Sequence, residues 1–115
     1  MTQPIIWHNT RCSKSRQTLQ LLQDNGFEAV IVDYVSDAPT KAEITNVLGL
    51  LNIKAVQLMR TGDARFKEAG LSKTDPEDVL IDAMVAQPIL IERPVVLHNG
   101  KASIGRPPES ILDIL

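Results

Sequence analysis

Within its first 34 residues the chain passes from an apolar run to a helical pattern and back to an apolar run, and that order limits the folds open to it. "PIIWH" is short, rich in β-formers and bounded by Pro4 and polar residues, which predicts a buried strand over 3–8. "HNTR" reads as a turn, with Asn9 and Thr10 both suited to starting a helix. From Ser13 the pattern is helical: Leu19 and Leu22 share spacings of three or four with Cys12 and Ser15, and Leu21 widens the stripe. "DNGF" ends it, with Gly26 at the position where a left-handed residue follows a helix. "EAVIVDY" predicts a second strand over 28–33. The product is β-α-β, with Cys12 at the first strand-to-helix junction.

The middle of the chain, about 36–86, reads as helical. Thr40 and Glu43 have capping-box spacing for a helix reaching about Gly49. "NIKAVQLMR" suggests a short helical turn and "TGDARFKEAG" a loop with another short helix. In "KTDPEDVLIDAMVAQ", Asp75 is the expected N-cap, with Pro76 at the first helical position and acids in the first turn. "PILIERPVVLHNGKASIG" then reads as strand, break, strand, tight turn, strand, Asn99-Gly100 being a strong hairpin signal. "RPPESILDIL" closes with a helix whose first turn holds Pro107 and Pro108. The order βαβ, helices, ββα is the layout of an α/β, thioredoxin-like fold with a helical insertion between its two halves, in a single domain over 1–115.

Composition removes several functional classes. A length of 115 residues with 43% hydrophobic content suits one core without disulfides or structural metal. A net charge of −2 gives no basic field for nucleic acid, and one Trp, one Tyr and two Phe give no stacking platform for bases. The N-terminus does not resemble a signal peptide, and no apolar run approaches the ~20 residues of a membrane span. The expectation is a cytoplasmic protein whose thiol stays reduced.

Cys12 is the only cysteine. A free cysteine is often just a small buried hydrophobe. Its position argues for more, because a helix start offers unpaired N–H groups and the positive end of the dipole, which favour a thiolate and an anion. His8, Arg11, Lys14 and Arg16 add positive potential where they face the site. No metal is expected, since His8-x3-Cys12 offers two ligands and His98 lies in the distant hairpin. A dithiol pair is excluded, because Cys12-Ser-Lys-Ser15 carries a hydroxyl where the second sulfur would stand. The C-x5-R phosphatase pattern fails at Thr18. A lone nucleophile that needs an outside thiol remains.

Three arginines stand at loop or strand ends: Arg60 in "QLMRTGD", Arg93 in "IERPVV" and Arg106 in "SIGRPPE". Each read alone is an ordinary surface arginine. In a thioredoxin-like domain, however, the loop before the third strand packs beside the active-site helix and commonly holds a cis-proline. Arg93-Pro94 occupies that place, so Arg93 is expected to reach toward Cys12. Guanidinium forks match the oxygens of a tetrahedral oxyanion, and they offset the repulsion between such an anion and a thiolate.

With "HNTRCSKSR", "LMRTGD", "IERPVV" and "IGRPPE" in that order, nearly the whole chain resembles the glutaredoxin- and glutathione-linked arsenate reductases. The resemblance implies Cys12 as the residue that attacks arsenate and Arg60, Arg93 and Arg106 as the oxyanion-binding set. It implies that His8 helps to lower the thiol pKa, that Ser15 supports the thiolate by hydrogen bonding, that Arg16 plays a secondary part, and that Pro94 is the cis-proline. The family's longest members carry a C-terminal extension that this chain lacks. Thr10, Arg11 and Lys14 in the cysteine turn depart from the commoner residues.

The function implied is reduction of arsenate to arsenite, an oxidoreductase activity of arsenical resistance. Glutathione is the co-substrate, glutaredoxin the partner, and no bound cofactor, metal, nucleic acid or membrane is called for. Two alternatives stand beside it: a glutathione-dependent thiol reductase of the same superfamily, and a regulatory relative that binds RNA polymerase. Such regulators usually carry a CxxC switch, and Ser15 argues against one here.

Overall fold

The computed structural model describes residues 3–115. It divides the chain into two compact units, one built from the chain up to Asp37 together with Arg93–Leu115, the other from Ala38–Glu92.

The first unit carries a four-stranded sheet. Strand β1 (Ile5–His8) leads through helix α1 (Ser13–Asp24) to β2 (Val30–Asp33), and β3 (Val95–His98) and β4 (Lys101–Ile104) form a hairpin. The sheet order is β2-β1-β3-β4, with β1 parallel to β2, antiparallel to β3, and β3 antiparallel to β4. Asn99 and Gly100 both take positive φ, 54° and 71°, which is the backbone a two-residue hairpin turn requires. Both N-terminal strands are shorter than the apolar runs suggest.

Alternation along β1 decides what faces α1. Ile6 pairs with Val96 and packs with Leu22, Ile111 and Ile114 in the core of this unit. His8, two residues on, therefore projects from the same face as Ile6, toward the start of α1. Helix α1 buries Ser15, Thr18 and Leu22. Gly26, at φ +82°, donates its N–H to the carbonyl of Gln23 and closes the helix end. The segment after β4 is a 3-10 helix, Pro108–Ile114, and not the expected α-helix. Pro107 and Pro108 supply no N–H groups, and two side chains from the hairpin hold the segment. His98 Nδ1 donates to the carbonyl of Ile114, and Ser103 Oγ donates to that of Ser110.

The second unit is helical. Its α2 (Lys41–Leu51) opens with the predicted capping box: Thr40 Oγ1 accepts from the Glu43 N–H and Glu43 Oε1 accepts from the Thr40 N–H. A 3-10 turn at Ala55–Leu58, α3 (Ala64–Glu68) and α4 (Glu77–Ala86) follow. Asp75 is not the cap of α4. Pro76 holds that position, and Asp75 Oδ2 instead accepts from the Ser72 N–H, closing the preceding turn. "PILIE" is not a strand either. Pro88 opens a 3-10 turn, Pro88–Leu90, and Ile91 makes only one bridge, to Met59. The insertion accordingly runs to Glu92 and not to about residue 86. No helix among the described residues is long and apolar enough to cross a membrane.

Candidate active site

The turn between β1 and α1 is built by three side chains. Asn9 Oδ1 accepts from the Arg11 N–H, Asn9 N–H donates to Ser15 Oγ, and Arg16 Nη1 donates to the Thr10 carbonyl. Asn9 and Thr10 thus shape the turn without capping the helix. Cys12 itself is the N-cap residue, in extended backbone, and it has no side-chain cap bond. Its N–H donates to the Asn9 carbonyl and its carbonyl accepts the first helical bond, from Arg16. Its thiol therefore stands at the N-terminal end of α1, 8% exposed.

Burial pushes the Cys12 thiol up, and this is the largest single effect on it. Acting together, the other influences exceed it. The backbone N–H of Ser15, the charge of Arg93, a hydrogen bond from the Arg93 side chain and the backbone N–H of Lys14 hold the thiol below its ordinary value. Arg106 Nη2 donates to Cys12 Sγ at 3.6 Å, while Arg106 Nε donates to the Arg93 carbonyl at 2.7 Å. The two arginines are thus tied to each other as well as to the sulfur. The Arg93–Pro94 and Arg106–Pro107 peptides are both cis.

His8 acts through Ser15. Its Nδ1 and Ser15 Oγ share a 2.6 Å hydrogen bond between buried groups. Burial lowers the His8 pKa, Asp33 opposes that, and Arg16 adds to it; the net shift is downward and favours the neutral ring. Ser15 reaches the thiol by its backbone N–H, while its hydroxyl holds His8 and Asn9 in place. Arg11 and Lys14 are exposed, and neither enters an ion pair among the described residues.

The structure therefore brings together Cys12, Ser15, His8, Arg93, Pro94 and Arg106 in one unit. Arg60 belongs to the helical unit. Its Nη1 pairs with Asp63 Oδ2 at 3.0 Å, and its N–H donates to the Leu90 carbonyl. The Arg65 N–H, above all, holds the Asp63 carboxyl below the usual range, with the charges of Arg65 and Arg60 adding to it against burial. Sequence reasoning missed the parts played by Asn9 and Thr18. Asn9 resembles any helix-start residue, and the role of Thr18 shows only once its neighbour across the fold is known.

A parallel β-α-β, an antiparallel hairpin beside it, and a thiol at the first helix start define a thioredoxin-like fold. Over residues 7–114 the chain matches the model of the ArsC family, and it belongs to that family. It is 46% identical over 114 residues to the uncharacterized protein YfgD of Escherichia coli K12, covering 96% of this chain and 94% of that one. It is 41% identical over 112 residues to an arsenate reductase of Neisseria meningitidis, covering 96% of each. A solved arsenate reductase from Vibrio cholerae superposes with a TM-score of 0.94 at 38% identity, covering 98% of both chains.

Proposed function

We propose that this protein reduces arsenate to arsenite through Cys12, with glutathione as co-substrate and glutaredoxin as partner. The observation that carries the reading is the guanidinium of Arg106 at 3.6 Å from a thiol whose pKa is held down. One arrangement then supplies both a nucleophile and an anion subsite. Relatives named arsenate reductase at 41% identity support arsenate as the anion.

The Cys12 thiolate attacks arsenic, a sulfur–arsenic bond forms, and one arsenate oxygen leaves as water after taking up protons. Arg93 and Arg106 hold the remaining oxygens. Glutathione then supplies the second sulfur. Two electrons pass to arsenic, arsenite leaves, and Cys12 remains as a mixed disulfide with glutathione. A glutaredoxin thiol attacks the glutathione sulfur of that disulfide, takes the glutathione over as its own mixed disulfide, and releases the Cys12 thiolate. With only one cysteine in the chain, an outside thiol is needed at every turnover.

The test is arsenate-dependent NADPH oxidation by the purified protein coupled through glutathione reductase, glutathione and glutaredoxin. Turnover is expected with the complete system and none when glutathione is omitted. Full turnover with NADPH, thioredoxin reductase and thioredoxin alone would overturn the proposed reductant. Absence of arsenate-dependent oxidation in the complete system would overturn the proposed substrate.

A further inference from the structure

Gly105 stands where three parts of the first unit meet: the end of β4, helix α1, and the segment before β3. A Cβ at this position would lie 2.5 Å from Thr18 Oγ1, 2.8 Å from Pro94 Cγ and 3.1 Å from Thr18 Cγ2. The other five glycines have open space in the corresponding direction. Gly105 is also not among the glycines with positive φ, so close approach, and not backbone freedom, is what calls for glycine here.

The neighbours have little room to retreat. Thr18 is fully buried, and its hydroxyl donates to the Lys14 carbonyl at 2.8 Å. Pro94 is buried, and its carbonyl accepts the Gly105 N–H at 2.9 Å. The residue after Gly105 is Arg106, which bonds the Arg93 carbonyl and Cys12 Sγ. A methyl group at 105 is relieved either by lifting the β4 end off α1 or by pushing the Arg93–Pro94 segment away. Either movement separates a guanidinium from the sulfur.

We propose that Gly105 is a positioning residue for the Cys12 site: by presenting no side chain to Thr18 and Pro94, it lets Arg106 and Arg93 close onto the thiol at the head of α1. The inference deepens the reading of Cys12 as the reacting thiol. Its test uses no arsenate, so it stands or falls apart from the substrate.

The test is the pH dependence of iodoacetamide alkylation of Cys12, with thiolate ultraviolet absorbance as a second readout, in the full chain. Gly105→Ala is expected to keep the native circular dichroism spectrum while its thiol titrates at higher pH. Below the midpoint the alkylation rate falls by about tenfold for each pH unit of the shift. Gly49→Ala, placed in open space, is expected to titrate as the parent protein does. The double variant Thr18→Ala/Gly105→Ala removes two of the three contacts and is expected to recover part of the shift. A folded Gly105→Ala protein with the parent midpoint overturns the proposal, as does an equal shift in Gly49→Ala. If Gly105→Ala does not fold, the double variant carries the test, because the Pro94 contact remains. An upward shift there supports the proposal, and the parent midpoint overturns it. A wild-type protein inactive on arsenate would remove the substrate reading and leave this result standing.

Discussion

At the scale of single residues, the Cys12 thiol is governed both by the N–H groups of Ser15 and Lys14 in its own helix start and by Arg93, far along the chain. Arg93 contributes a charge and a hydrogen bond, so Arg93→Ala is expected to raise the pH at which the thiol ionises. The alkylation profile checks this, and an unmoved midpoint would remove Arg93 from the site. In arsenate turnover, Arg93→Ala and Arg106→Ala are each expected to lose tenfold or more, since one lost oxyanion donor commonly costs ~2.7–4 kcal/mol. Cys12→Ser should abolish turnover with the circular dichroism spectrum unchanged; residual turnover would place the nucleophile elsewhere. His8 carries a pH signature of its own. Its folded pKa is depressed, mainly by burial, so its contribution to stability is present above the ordinary histidine value and is lost as pH falls through the folded one. Denaturant titrations over that window should show stability falling with acidification, and His8→Gln should flatten the slope. A slope unaffected by the substitution would show that another group titrates there.

At the scale of elements, the legible parts were those coded by local chemistry. Asn99-Gly100 announces its turn because two successive left-handed residues tolerate few alternatives. Thr40 and Glu43 announce a helix start because each satisfies the other's backbone N–H. Thr40→Ala is accordingly expected to cost about 1 kcal/mol, measured by chemical denaturation; no loss would mean that the cap is redundant with packing. The misread elements are those where local signals compete. "PILIE" has strand composition, yet Pro88 opens a 3-10 turn and Ile91 finds one bridge partner, not a ladder. Asp75 sits beside a genuine helix start and spends its carboxylate on Ser72. Of the site, Cys12 was legible from its junction and Arg93 from its proline. The Thr18 contact was not, because a close approach between α1 and the β4 end leaves no periodic trace in either segment.

At the scale of the whole molecule, the two units differ in how the chain builds them. The helical unit is one continuous stretch, Ala38–Glu92, whereas the sheet unit is closed by the two ends of the sequence. A single cysteine in that arrangement leaves one oxidised product open within the proposed cycle. Protein quenched during turnover should carry one glutathione on Cys12, seen by mass spectrometry and removed by glutaredoxin. A chain that cycles fully with no such adduct under any quench would demand a different relay.

The Arg106–Cys12 contact joins residues 94 positions apart, and this has a consequence for synthesis of the protein. Cys12 leaves the ribosome well before both guanidinium groups that attend it in the sheet unit. At about 5–20 residues per second, roughly 5–20 s separate the two events. Throughout that interval the nascent chain carries a cysteine without Arg93 or Arg106 beside it. The share of its acidity that Arg93 supplies, and with it the matching share of any sensitivity to oxidants and alkylating agents, is therefore acquired only after the later segment has been made and has folded back.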